Sequence, residues 1–197
     1  MNKEQQLKAI TDYIYELFKD DVTGHDFYHM RRVARTAKEI AQSEHANVFI
    51  CEIAAWVHDV GDHKLFKDPK KELEELYEVF QSIDLEPSAI KLIDHAIKDV
   101  SFSKGNQIPE TLEGKIVQDA DRLDALGAVG IARTFAYGGF KGQVMYSESE
   151  SKNSSVQHFY DKLFTLKYTM NTNTAIKMAQ ERHDFMENFI DTFLDEW

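Results

Sequence analysis

At 197 residues the chain has the length of one ordinary domain, and its 43% hydrophobic and 12% aromatic content suffices for one sizeable core. With 34 acidic against 23 basic residues the formal charge is -11, so the surface as a whole repels DNA, RNA and anionic lipid, and an anionic ligand has to be met locally by a cation. The single cysteine, Cys51, lies in an apolar run and excludes an internal disulfide, which makes a small buried core residue its expected role. The start MNKEQQLKAI is too polar for a signal peptide, and no apolar run reaches the roughly 18 residues of a membrane span. A reducing cytoplasm is the expected compartment.

Only three prolines occur, and apolar residues recur at three- and four-residue spacing in nearly every segment, the period of helices rather than strands. The expected fold class is all-α. Met30, Val33, Ala34, Ala37, Ile40 and Ala41 mark one face of a helix from about Phe27 to Ser43, with His29 and Arg32 at its edge. Asn47 is placed to cap a helix from Val48 to Val60, apolar almost all round until His58 and Asp59 and stopped by Gly61, so that helix should be central. Pro69 opens an acidic helix to about Ser82, and Pro87 opens another in which Ile90, Ile93, Ile97 and Val100 share a face. Pro109 starts a fifth, carrying Leu112, Ile116, Val117, Ala120, Leu123 and Leu126, that continues or kinks near Gly127 and Gly130 towards Phe135. The glycine- and serine-rich stretch from Tyr137 to Ser155 has no helical stripe and reads as a long loop. Phe159, Leu163, Leu166 and Met170 then mark a helix from Val156 to Met170, and Thr172 or Thr174 caps a last helix ending near Trp197. With no repeat and no low-complexity linker, residues 1–197 read as a single domain, with residues 156–197 packed on the rest.

Chemistry concentrates in a few places. Three His-Asp doublets occur, against roughly 0.7 by chance for this composition, so the doublet alone is a poor signal. His183-Asp184 lies in a polar stretch of the last helix and reads as a solvated face. Asp26 in His25-Asp26 stands at a helix entrance, where capping is as good a reading as any. His58-Asp59 differs because Ile53, Ala54, Ala55, Trp56 and Val57 before it leave little water, and a carboxylate held there needs a partner. A helix C-terminus favours a cation, and imidazole with carboxylate suits Mn, Fe, Co, Ni or Zn better than Ca; a core His-Asp pair closing the helix is the equal alternative. Further ligands can come from His29, with Arg32 three residues on, and from the run Asp119-Ala120-Asp121-Arg122-Leu123-Asp124. Asp121 and Asp124 share a face at i, i+3, and spacing alone does not choose which aspartate is a ligand.

Taken in order, His29-Met-Arg-Arg-Val, Val57-His58-Asp59-Val60-Gly61-Asp62-His63-Lys64 and Asp119-Ala-Asp121-Arg-Leu-Asp124-Ala-Leu-Gly127 resemble the HD superfamily of metal-dependent phosphohydrolases. The resemblance spans residues 25–135. Ser101-Phe102-Ser103 and His158-Phe159-Tyr160 look like the branch of small stand-alone bacterial HD proteins that includes nucleoside triphosphate pyrophosphohydrolases. What this implies is a helical HD-domain bundle holding one divalent ion, Mn first and Mg, Co, Ni, Fe or Zn as alternatives, through His29, His58, Asp59 and Asp121. Some relatives carry a histidine where this chain has Val100, which favours one ion over two. Asp62, past the Gly61 stop, is then placed as general acid or base, while Arg32, His63, Lys64, His95 and Asp124 are expected to contact substrate. The implied substrate is a small nucleotide, with pyrophosphate released from a (deoxy)nucleoside triphosphate. A 5′-nucleotide or guanosine tetraphosphate phosphohydrolase, or a metal-dependent nucleotide-binding module without catalysis, are the alternatives. No polymeric nucleic acid and no membrane partner are expected, and a homodimer is allowed.

Overall fold

A computed structural model describes residues 1–21, 24–100, 107–148 and 154–197. Ser101-Phe102-Ser103, singled out above, lies outside the described residues, as does part of the expected loop at 137–155. Among the described residues there are nine α-helices, one 3-10 helix and no strand: α1 Lys3–Phe18, α2 Phe27–Ser43, α3 Val48–Val57, α4 Pro69–Ser82, α5 Pro87–Ile97, α6 Leu112–Asp124, α7 Gly127–Phe140, α8 Ser155–Asp161, a 3-10 helix Leu163–Thr169, and α9 Asn173–Glu196. The all-α expectation holds. None of these helices is long and apolar enough to cross a membrane. The chain resolves into two compact units, Met1–Asp121 and Arg122–Trp197.

In the first unit, α3 is the centre of the core. Ile50, Cys51, Ile53, Ala54, Ala55, Trp56 and Val57 are all buried, and α1, α2 and α5 pack against the helix that carries them. Burial on every side is what an all-round apolar sequence requires. Asn47 caps α3, its side chain accepting from Ile50 N, and Glu113 accepts from Asn47 N in turn. α1 begins with a capping box between Asn2 and Gln5 and buries Ile10, Ile14 and Phe18. Its Gln6 is buried too, and its amide donates to the carbonyls of Ile83 and Asp84, fastening α1 to the end of α4, where Asp84 takes a left-handed φ of 53°.

α3 ends at Val57, three residues earlier than its apolar pattern suggests. The following bonds run i to i−3, from Val60 N to Val57 O and from Asp62 N to Asp59 O, so the chain leaves the α-helix through tight turns. Gly61 is required there twice over: its φ is +79°, and a Cβ would meet Leu73 Cγ at 2.7 Å and the Pro69 carbonyl at 3.1 Å. α5 likewise stops at Ile97, with Val100 reached by a turn and still buried. α6 starts at Leu112 rather than at Pro109, because Thr111 Oγ1 accepts from Gly114 N and takes over the first turn.

In the second unit the break after Asp124 is real, and α7 begins at Gly127 with φ +76°. α7 then runs through Gly138 and Gly139 to Phe140, correcting the expected loop start at Tyr137. Gly138 is there for space and not as a breaker, since a Cβ on it would stand 2.1 Å from Ser155 Oγ. The expected helix from Val156 to Met170 is two pieces. Lys162, with φ −135° and ψ −57°, interrupts it, and the 3-10 turns that follow are held by Thr165 and Thr169 hydroxyls donating to the Lys162 and Leu166 carbonyls. Thr172 caps α9, and Phe159, Leu163, Leu166, Ala175, Ala179, Met186 and Ile190 form the core of this unit.

Burial in α3 pushes the Cys51 thiol up to about 12, so almost no thiolate exists at neutral pH. Cys51 is therefore expected to resist thiol reagents such as iodoacetamide in the folded chain and to react once the chain is unfolded in urea. Labelling of the native protein at the rate of a free cysteine peptide would contradict this packing.

Candidate metal centre

His29 comes from α2, His58 and Asp59 from the turn that closes α3, and Asp121 from α6, all in the first unit. Asp26 caps α2, its Oδ1 accepting from His29 N at 2.8 Å, so the capping reading holds and the cap fixes the turn that presents His29. His58 closes α3, and its Nδ1 lies 2.8 Å from the Ala55 carbonyl. A carbonyl can only accept, so Nδ1 carries a proton, and when the ring is neutral, as a metal ligand must be, Nε2 is the nitrogen with the lone pair. Asp59 follows in the turn, and Asp121 is in α6, one helical step after the buried Ala120.

These side chains meet. His29 Nε2 lies 3.7 Å from Asp59 Oδ2 and 3.5 Å from Asp121 Oδ1. His58 Nε2 lies 3.4 Å from Asp59 Oδ1 and 3.7 Å from Asp121 Oδ1. One ligand atom each from His29, His58 and Asp121 falls within 4.8 Å of the others, with Asp59 flanking both imidazoles. Burial alone would drive a proton off His58, but Asp59 and then Asp121 outweigh it and raise its pKa well above the ordinary value. Burial likewise disfavours the Asp121 anion, and His58 first, then His29 and His25, reverse this and lower its pKa.

The donor set fits a divalent cation. His58 Nε2 and Asp59 Oδ2 are buried without a hydrogen-bond partner, a costly condition that coordination removes. Two carboxylates bring two negative charges, which a divalent ion balances, and mixed nitrogen and oxygen donors suit first-row transition metals.

The other predicted residues fall in varied settings. Asp62 is mostly buried, and its Oδ1 accepts from Lys64 N at 2.8 Å and lies 3.6 Å from His63 Nδ1. The carboxylate is thereby held within its own turn. His63 and Lys64 are exposed beside it, Arg32 is half-buried on α2, and His95 is exposed on α5 with Nδ1 donating to the Lys91 carbonyl. Asp119 is fully buried, which rules out the acidic surface stripe as its setting. In the second unit, Asp124 is buried and paired with Arg133 at 2.6 Å. Arg122 donates to the Thr169 carbonyl and Arg182 to the Leu123 carbonyl, so Arg182 braces the end of α6.

Sequence reasoning passed over His25. Its ring stands 5.5 Å from that of His29, edge to face, and it contributes to the field on Asp121. The i, i+4 spacing of His25 and His29 was the available signal, masked by the intervening cap. His183, expected on a solvated face, is 3% exposed; only Asp184 of that doublet faces solvent.

A family model described as the HD domain matches residues 26–126, the stretch that carries all four converging side chains. The chain belongs to the HD domain family. It is 39% identical over 193 residues to the YpgQ protein of Bacillus subtilis, covering 96% of this chain and 93% of that one. The crystal structure of Bacillus subtilis YpgQ in complex with ADP matches with a TM-score of 0.84 at 38% identity, covering 100% of this chain and 97% of that one. An HD-superfamily hydrolase from Bacillus thuringiensis matches with a TM-score of 0.85 at 40% identity, covering 100% of this chain and 98% of that one. This HD chain is thus closely similar to a hydrolase of its superfamily along its whole length.

Because the Asp26 cap fixes the turn bearing His29, Asp26→Ala is expected to lower unfolding free energy by about 1 kcal/mol in urea melts, while Asp26→Ser retains most of it. Equal stability of all three chains would remove the cap from the account.

Proposed function

We propose that this HD protein is a metal-dependent phosphohydrolase acting on nucleotides, releasing pyrophosphate from (deoxy)nucleoside triphosphates. The observation that carries the reading is the convergence of His29, His58 and Asp121 ligand atoms within 4.8 Å, flanked by Asp59. His29, His58, Asp59 and Asp121 would hold one divalent ion, with Mn the first choice among Mn, Mg, Co, Ni, Fe and Zn. When bound, such an ion supplies charge that offsets the negative phosphate oxygens and acidifies a water.

A chain of net charge -11 repels a triphosphate everywhere else, which makes a local cation a requirement of this reading. The ADP complex of the Bacillus subtilis relative supports a nucleoside phosphate as ligand. Asp62 is the proton acceptor: water oxygen bonds to the α-phosphorus, the bridging P–O bond breaks with its electron pair leaving on pyrophosphate, and the water proton passes to the Asp62 carboxylate. Its Asx turn with Lys64 N holds the carboxylate in one orientation. Arg32, His63 and Lys64 bind phosphate oxygens, Arg32 with a planar fork and Lys64 as a point charge. His95 contacts the remainder of the nucleotide. Asp124, engaged by Arg133, is left out of the substrate contacts.

The first test is release of phosphate and pyrophosphate from ribo- and deoxynucleoside triphosphates, 5′-monophosphates and guanosine tetraphosphate, with Mn, Mg, Co or Ni added to chelator-stripped protein. Pyrophosphate from triphosphates is expected. Phosphate from monophosphates, or pyrophosphate from guanosine tetraphosphate alone, would replace the substrate class, and silence with metal and nucleotide both bound would leave a binding module.

His58→Ala and Asp121→Asn are expected to weaken metal binding at least tenfold by titration calorimetry with helical circular dichroism retained, and Asp119→Asn to weaken it less. The reverse order for the two aspartates would transfer the ligand role to Asp119.

Asp62→Asn preserves the acceptor oxygen of the turn and removes only the basic group. It is expected to keep metal binding and to lose turnover by about 10² to 10⁴-fold. Turnover at the parent rate would exclude Asp62 as the base.

A further inference from the structure

The second unit carries a cleft that the HD site does not use. It has a volume of about 760 Å³ and lies between α8, the 3-10 helix and α9, with Tyr160, Phe164 and Tyr168 on one side and His183, Asp184, Glu187 and Asp191 on the other. The three carboxylates follow from helical geometry. At about 100° per residue, positions 184, 187 and 191 fall within an arc of about 60° on α9. Glu187 and Asp191, four apart, repel each other, and no lysine or arginine forms an ion pair with any of the three among the described residues. Asp184 is partly engaged, accepting from the Gln180 amide through Oδ1.

His183 gives the cleft a built wall. It is 3% exposed, packs edge to face on Phe164 with centroids 5.1 Å apart, and pairs through Nε2 with Glu187 Oε1 at 3.0 Å. Its buried Nδ1 has no hydrogen-bond partner. With Nε2 beside Glu187, Nδ1 is the polar atom of this wall that the fold leaves without a hydrogen bond. On the opposite side the Tyr160 and Tyr168 rings are exposed, Tyr168 at 79%, so their faces are open to a ligand in the cleft. Carboxylates and aromatic faces share one preference. All favour a cation with N–H donors and an apolar body, and all disfavour a phosphate.

We propose that the cleft between Tyr160, Phe164, Tyr168 and the His183–Glu187–Asp191 face of α9 binds a small aliphatic amine in its ammonium form. A transition metal fits less well, because among the described residues only His29, His58 and Asp121 bring three ligand atoms within metal-binding range of one another. The carboxylates of α9 are spread along the helix instead, as the separated charges of a di- or polyamine would need.

The test is titration calorimetry of the full chain with spermidine, with putrescine and with inorganic phosphate as probes. One spermidine per chain is expected, putrescine binding more weakly and phosphate not at all. Tyr168→Ala changes no charge and is expected to weaken spermidine about fivefold, and Asp191→Asn by a similar factor. Asp12→Asn, which removes an equal charge from exposed α1, is expected to leave the affinity unchanged. A Tyr168→Ala affinity equal to the parent's, or equal losses from Asp191→Asn and Asp12→Asn, would show attraction to the net charge alone and overturn the site. Because none of these residues belongs to the HD site, failure here leaves the phosphohydrolase reading standing.

Discussion

The structure depends on the desolvated end of α3. That helix is apolar on every face because it runs through the middle of the first unit, and it ends by delivering an imidazole and a carboxylate where little water reaches them. Two polar groups in that position cost several kcal/mol unless something compensates, and α2 and α6 bring His29 and Asp121 to the same point. The packing of α2 against α3 is therefore not separable from the chemistry: the contacts that bury Met30, Val33 and Ala37 also set where His29 stands. Gly61 completes the arrangement. Only a residue without a Cβ passes Leu73 and Pro69 there with a left-handed φ, and the turn it allows carries Asp62 back beside the doublet.

Backbone groups tune this site as much as side chains do. The Ala55 carbonyl holds the His58 proton on Nδ1 and so commits Nε2 to the shared centre, while the Asp26 cap orders the first turn of α2 around His29. In the metal-free chain the two carboxylates keep a proton on His58 against the effect of burial. A divalent ion and that proton would make the same demand on the cluster, which is to offset two negative charges in a low-dielectric pocket.

Much of this was legible in the sequence because it rested on local signals. Period, proline and cap residues placed α2 and α4 to the residue, identified Asn47 as a cap, and narrowed two others to candidates among which the structure takes Asp26 and, rather than Thr174, Thr172. The His58-Asp59 doublet could be separated from its two copies by the apolar run before it. What stayed hidden was set by distant packing. Gly138 reads as a loop residue until Ser155 is seen to occupy the space of its Cβ. The single helix expected after Ser155 hides the break at Lys162, because Phe159, Leu163 and Leu166 keep a spacing that a 3-10 helix satisfies as well. His183 lies in a polar stretch, yet Phe164 covers it, and nothing local announces that. The choice of Asp121 over Asp119 came from family resemblance, and only the fold shows Asp119 wholly enclosed while Asp121 meets both histidines.

The two histidine sites show how the same side chain is directed to different chemistry. At His58 a backbone carbonyl takes one nitrogen and carboxylates flank the other, so the ligand atoms of three residues converge within 4.8 Å and the site suits a divalent metal ion. At His183 a carboxylate one helical turn away takes Nε2, Phe164 packs against the ring, and the other carboxylates are spread along α9. Convergent oxygen and nitrogen atoms favour a point charge, whereas carboxylates strung along one helix face opposite exposed rings favour a charge carried on an apolar body. The excess of acidic residues serves both. At the first site it is concentrated and desolvated, and at the second it is spread along one helix face and left open to solvent.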